Sequence, residues 1–103
     1  MPHATTDFSA CGAGEIVTLA IGFSARLASG ESLSTATCAI SVYSGSDASP
    51  QSRLLAGPSI SGAQVGFLFG NGVAGATYEI LVVVTTSAGQ TLECYAYQPV
   101  TAQ

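Results

Sequence analysis

Residues Gly75–Val100 read GATYEILVVVTTSAGQTLECYAYQPV. Tyr78–Thr86 is dense in β-branched and aromatic side chains, which suit a pleated, packed surface. Thr86-Ser87-Ala88-Gly89 has the composition of a type I turn, and Gly89 takes the positive φ of a following G1 bulge without a Cβ clash. Thr91–Val100 then returns antiparallel. A hairpin this apolar needs cover on at least one face, and the remainder of the chain supplies it.

The cover comes from short strands separated by turns. In Glu15–Leu27 (EIVTLAIGFSARL), Val17, Leu19, Ile21 and Phe23 form a clean apolar stripe, while Ile16, Thr18, Ala20 and Gly22 form the opposite one. After a turn at Ala28–Ser32, Leu33–Ser44 alternates again: Ala36, Cys38, Ile40 and Val42 on one face; Thr35, Thr37, Ala39, Ser41 and Tyr43 on the other. Gly45–Pro58 carries loop punctuation, with room for a short edge strand at Arg53–Ala56. Pro50 and Pro58 suit an edge and not a sheet centre. Ser59–Gly70 is expected as one further strand, with Val65, Phe67 and Phe69 on its apolar side, and Asn71–Gly75 as the turn into the hairpin. No helical period of useful length occurs. The pattern predicts an all-β, antiparallel sandwich of about seven short strands, spanning residues 15–103, with Ile80, Val82 and Val84 packed on the Val17–Phe23 and Cys38–Val42 stripes. Residues 1–14 are small and polar and are expected as an extended N-terminal arm that frays on its own. Phe8 is its one large anchor, either tucked against the domain or reaching a neighbouring subunit.

With 103 residues the chain makes one domain, and 48% hydrophobic residues suffice for a core. Only 8% of residues are charged, against roughly 25% in an average soluble domain. Either Ser, Thr and Gln keep the surface soluble, or partners cover much of it. Lysine is absent, Arg26 and Arg53 are the only arginines, and the net charge is −4. Binding to a nucleic-acid backbone or an anionic membrane needs several cations, so both are excluded as partners. Met1-Pro2-His3 lacks the basic and apolar regions of a secretory signal, and Ile16–Ile21 is too short to span a membrane. Assembly in a cytoplasm is the resulting expectation.

Few residues offer chemistry. The single histidine, His3, lies in the arm, and a histidine-rich metal site cannot be built from it. Cys11, Cys38 and Cys94 are odd in number and follow no ligand spacing. They read as free thiols in apolar surroundings, unless Cys38 and Cys94 face each other across the core and bridge. The carboxylates are scattered. Glu79 and Glu93 are placed where they either oppose each other on the hairpin's outer face, inviting a cation or an arginine, or stand separately in solvent. Gly70-Asn71-Gly72-Val73-Ala74-Gly75 has the glycine spacing of a phosphate loop but precedes a strand, so it reads as turn chemistry. Tyr95 and Tyr97 serve either as interface anchors or as core. No enzyme activity and no cofactor are expected. The interface candidates are Phe8, Arg53, Tyr95 and Tyr97.

Two resemblances extend this reading. Ala74-Gly75-Ala76-Thr77-Tyr78-Glu79-Ile80 resembles the tyrosine corner of immunoglobulin-like sandwiches, with Ile80 at the buried position two residues after the tyrosine. More widely, Gly30-Glu31-Ser32-Leu33, then Gly72-Val73-Ala74-Gly75-Ala76-Thr77-Tyr78, then Val83-Val84-Thr85-Thr86-Ser87-Ala88-Gly89-Gln90-Thr91 follow in an order similar to that of small bacteriophage virion proteins with Ig-like domains, described as fiber-tail adaptors. The resemblance covers roughly residues 15–100. Two departures stand out: the family's second strand often carries a tryptophan near the position of Cys38, and its final strand is usually more charged than Leu92–Val100. The resemblance implies a structural virion protein, a homo-oligomer in the particle, joining fibers to the tail and contacting tail, fiber, portal or capsid subunits. The arm, the Gly45–Pro58 loop and exposed turns would make those contacts. Its alternatives are a capsid decoration protein and a receptor- or carbohydrate-binding module.

Overall fold

A computed structural model of the chain describes residues 4–8 and 10–101. Eight strands follow in order: β1 (Ala4–Asp7), β2 (Cys11–Gly12), β3 (Ile16–Gly22), β4 (Leu33–Ser44), β5 (Leu54–Ser61), β6 (Gln64–Gly70), β7 (Thr77–Thr86) and β8 (Thr91–Thr101). One sheet has the order β1-β8-β7-β4, with β2 also on β8; the other has the order β3-β6-β5. With β3 to β8 taken as strands B to G, these are the C-F-G and B-E-D sheets of an immunoglobulin-like sandwich. The expected all-β sandwich is therefore the fold.

The β7–β8 hairpin forms as its composition predicts. Thr85 pairs with Thr91, Gly89 N–H donates to Thr86 C=O (3.0 Å), and Thr86 N–H donates to Gln90 C=O (2.9 Å). Gly89 sits at φ +83°, where a Cβ would be strained. Between the sheets, Leu19, Ile21, Phe23, Cys38, Ile40, Val65, Phe67, Phe69, Ile80, Val82 and Val84 share one buried cluster. Ile80, Val82 and Val84 are fully buried. The two stripes expected to receive them, on β3 and β4, do so because alternation puts one apolar set of each strand inward.

Several boundaries differ from the sequence reading. The strand expected over Glu15–Leu27 ends at Gly22, and Ser24–Arg26 makes a 3-10 turn. The expected Gly45–Pro58 loop ends early: Pro50–Arg53 is a 3-10 turn, and Leu54–Ser61 is a full edge strand. Of its two register shifts against β6, the one between Ala56 and Ser59 spans Pro58, which cannot donate to a ladder. Ser59–Gly70 is not one strand but the end of β5, a two-residue turn and β6. Gly62 has φ +61° and Ala63 does not share the positive φ, which is the pattern of a type II′ hairpin. Alternation alone did not reveal this turn, because Gly62-Ala63 interrupts a run of small residues. Ahead of β3, Ala4–Asp7 and Cys11–Gly12 run parallel to β8, and Phe8 N–H donates to Tyr97 C=O (3.0 Å).

The Cys38–Cys94 bridge is ruled out. Val82 pairs with both residues, one on each side of β7. Two strand spacings separate them by about 10 Å, beyond the roughly 7 Å a disulfide spans. All three cysteines are free and buried. Nor do the two glutamates oppose each other: Glu79 pairs with Tyr97, and Glu93 with Val83.

Candidate contact surface

Polar side chains hold the two ends of the sandwich. At one end, Tyr78 is wholly buried near the start of β7. Its hydroxyl accepts from Val73 N–H (3.0 Å) and donates to Asp47 Oδ2 (2.6 Å). The ring packs edge-on against Phe69, with centroids 5.4 Å apart. This is the tyrosine corner that the sequence suggested, with an added carboxylate. Asp47 Oδ1 accepts Ser49 N–H (2.8 Å), an Asx turn, and Arg53 Nε lies 3.0 Å from Asp47 Oδ2. Arg53 Nη1 also donates to Asn71 C=O. Chiefly through the Tyr78 hydroxyl, and then Ser49 N–H, the Asp47 carboxyl is held below its ordinary pKa. Burial first, and Asp47 second, push Tyr78 up.

At the other end, Glu31 accepts from Ala28 N–H (2.8 Å) and from the Thr86 hydroxyl. These bonds, Thr86 first, lower its pKa. Thr86 Oγ1 in turn accepts Ala88 N–H (3.3 Å) and Gln90 N–H (3.2 Å). Ser87 N–H donates to Ser32 C=O (2.8 Å), and Ser32 N–H donates to Ser87 Oγ (3.0 Å). The three segments that carry the family resemblance thus fall on these two locks. Gly30–Leu33 meets Val83–Thr91 at one end, and Gly72–Tyr78 forms the corner at the other.

The carboxylates of Glu15, Glu31, Asp47 and Glu79 are all engaged as acceptors for turns or hydroxyls. Among the described residues, no three His, Cys, Asp or Glu side chains gather where a metal ion could sit. His3 lies outside the described residues. A shallow depression of about 230 Å³ over the β5 irregularity is lined by Thr18, Ala56, Ser59, Gly66 and Leu68 among others, which offer no acid, base or thiol.

Three tyrosines gather on the outer face of β4, β7 and β8. Tyr43 is 65% exposed. Its ring meets Tyr97 edge-on at 5.0 Å, and the Tyr97 hydroxyl donates to Glu79 Oε2 (3.0 Å). Tyr95 lies on the same face, paired with Leu81, which pairs with Ala39 beyond it. Tyr95 and Tyr97 are half-buried and belong to this outer surface, not to the core between the sheets. Phe8 packs against the core cluster, and Arg53 is tied to Asp47 and Asn71. Of the four interface candidates, the structure thus brings together Tyr95 and Tyr97 and places Phe8 and Arg53 elsewhere. Tyr43, Asp47 and Gln51 were not singled out from sequence. Tyr43 was visible as the last residue of the polar stripe of β4, and Asp47 as an Asx turn in Ser46-Asp47-Ala48-Ser49. Gln51 had no local signal, since its partners lie on another element.

No curated protein matches this chain. Residues 12–95 match the family described as Podophage GP4 fiber-tail adaptor protein gp77. That span includes β3 to β7, both polar locks and the opening of β8. The chain, an immunoglobulin-like sandwich held at both ends by polar corners, belongs to this podophage fiber-tail adaptor family.

Proposed function

We propose that the protein is a non-enzymatic structural component of the virion, built into the tail in several copies, and that it connects fibers to the tail. The observation that carries this reading is the family match over residues 12–95. Composition supports it independently: a chain with only 8% charged residues has a surface poor in charge, which suits a subunit surrounded by other proteins. The exposed Tyr43–Glu79–Tyr97 face adds aromatic area of the kind that anchors protein interfaces. The Gly45–Ser49 segment and the exposed end turns are further contact points. Assembly takes place in the host cytoplasm, before release.

Particles grown from a genome with a stop codon early in this gene test the reading. Electron microscopy is expected to show tails without fibers, with fibers restored by the wild-type chain. A full fiber complement on particles lacking the protein refutes the adaptor role. Localisation of the protein to the head would identify a capsid decoration protein instead.

A further inference from the structure

The sandwich leaves one sheet edge open. β3 pairs with β6 alone, in an unbroken register from Ile16–Gly70 to Gly22–Gln64. Just beyond the two ends of that ladder, Asn71 N–H donates to Glu15 C=O (3.3 Å) and Phe23 N–H donates to Ala63 C=O (2.8 Å). Hydrogen-bonded and non-bonded pairs alternate in an antiparallel ladder, so the odd-numbered residues from Glu15 to Phe23 bond β6. The N–H and C=O groups of Ile16, Thr18, Ala20 and Gly22 point the other way. Among the described residues, no strand pairs with that side.

The other edges are guarded. On β4, the Gln51 side chain takes the place of a neighbouring peptide: Oε1 accepts Ile40 N–H (2.8 Å) and Nε2 donates to Cys38 C=O (3.2 Å). β5 carries Pro58 and two register shifts. β1 is four residues long. Short strands, prolines, irregularities and covering side chains are the usual devices that keep edges from pairing. β3 (IVTLAIG) has none of them, and it carries no charge.

Sandwich topology explains the gap. In the immunoglobulin arrangement, strand A extends the B-E-D sheet beside strand B. Here the segment ahead of β3 bonds instead to β8 in the opposite sheet. Strand B, which is β3, therefore presents an unfilled strand position. An unpaired row of alternating donors and acceptors is matched by one kind of ligand, an extended backbone.

We propose that an extended segment of another virion protein adds to the free edge of β3 as a strand. This rests on the adaptor reading above. Among the described strands a second copy could offer only its own β3 edge, whereas an adaptor joins itself to a different protein, so the occupant comes from another component of the virion. Its side chains alternate. One set lies beside half-buried Val17 and buried Leu19 and Ile21, and is apolar; the other lies beside Ile16, which is 55% exposed, and the small residues Thr18, Ala20 and Gly22.

Two substitutions test the slot without touching the β3–β6 ladder. Thr18→Pro removes an N–H that the fold does not use, as proline permits on an edge. Ala20→Lys places a charge on the same edge. The probe is particles grown without this protein, mixed with purified wild-type or variant chain and sedimented. Wild type is expected to bind, and each variant to bind about tenfold or more weakly. Hydrogen exchange of wild type is expected to show the Ile16, Thr18, Ala20 and Gly22 amides open in the free protein and protected on particles. Should Thr18→Pro not fold, Ala20→Lys and the exchange measurement carry the test. Folded variants that bind like wild type, or edge amides that stay open on particles, overturn the strand-addition proposal and leave the adaptor reading standing. Edge amides protected in the isolated protein at high concentration overturn it in favour of a second copy. Wild type that does not bind the particles at all overturns the adaptor reading, and this proposal with it.

Discussion

Replacing Tyr78 by phenylalanine removes one oxygen from the corner of the sandwich and leaves the ring in place. That oxygen is buried, accepts Val73 N–H at 3.0 Å and donates to Asp47 Oδ2 at 2.6 Å. Without it the Val73 amide faces the phenyl edge, and the Asp47 carboxylate loses the partner that most lowers its pKa. A buried polar group left unpaired costs about 1–3 kcal/mol, so Tyr78→Phe should lose about 2 kcal/mol. At about 4–8 °C per kcal/mol for a domain of this size, Tm falls by about 10 °C. Urea unfolding followed by circular dichroism measures this, with the slope unchanged if only native contacts are lost. Tyr97→Phe is the control. Its hydroxyl bonds Glu79 on the solvent face, and its loss should stay within about 0.5 kcal/mol. In a double-mutant cycle, Tyr78→Phe with Asp47→Asn should cost less than the sum of the two, because they share one bond. The reasoning is refuted if Tyr78→Phe is as stable as Tyr97→Phe, or if the cycle is additive.

The pH dependence of stability follows from the same locks. Asp47 and Glu31 both titrate below the ordinary carboxylate range in the fold, so the unfolded chain takes up their protons first. Their contribution is complete above about pH 5 and is lost as pH falls through the folded values. The Tm gap between wild type and Asp47→Asn should therefore narrow from pH 5 downward. Tyr78 has the opposite sign: its raised pKa makes its contribution decline as pH rises above about 10. Gln51→Ala should cost about 1 kcal/mol and, by uncovering the β4 edge, increase self-association measured by light scattering. The cysteines should remain three reduced thiols by mass spectrometry after mild oxidation. Cys38 should alkylate slowly in the folded protein, since burial pushes its pKa to about 11.

Much of this protein is legible in order along the chain. The hairpin, its Gly89 turn, the inward stripes of β3, β4 and β6, and the tyrosine corner all depend on neighbours one to five residues apart. Period-two alternation and turn chemistry act at that range. The β5–β6 turn was hidden because Gly62-Ala63 lies among other small residues, and β5 was shortened because Gly57-Pro58 read as part of a loop. The contact surface was half legible. Tyr95 and Tyr97 stand out by composition, but Tyr43 joins them only because β4 and β8 flank β7 in one sheet.

By itself, then, the sequence determined the class of fold, the core stripes and the lack of cations for nucleic acid or membrane, because these depend on local pattern and composition. Tertiary structure alone decided where distant residues meet. It put Cys38 and Cys94 on opposite sides of one strand, set Asp47 and Arg53 at the Tyr78 corner, and laid Gln51 along β4. It also bonded the N-terminal segment to β8 and so left one edge of β3 without a described neighbour. The physical reason is that sheet order and register are settled by which strands bury each other's faces, and no single segment carries that information.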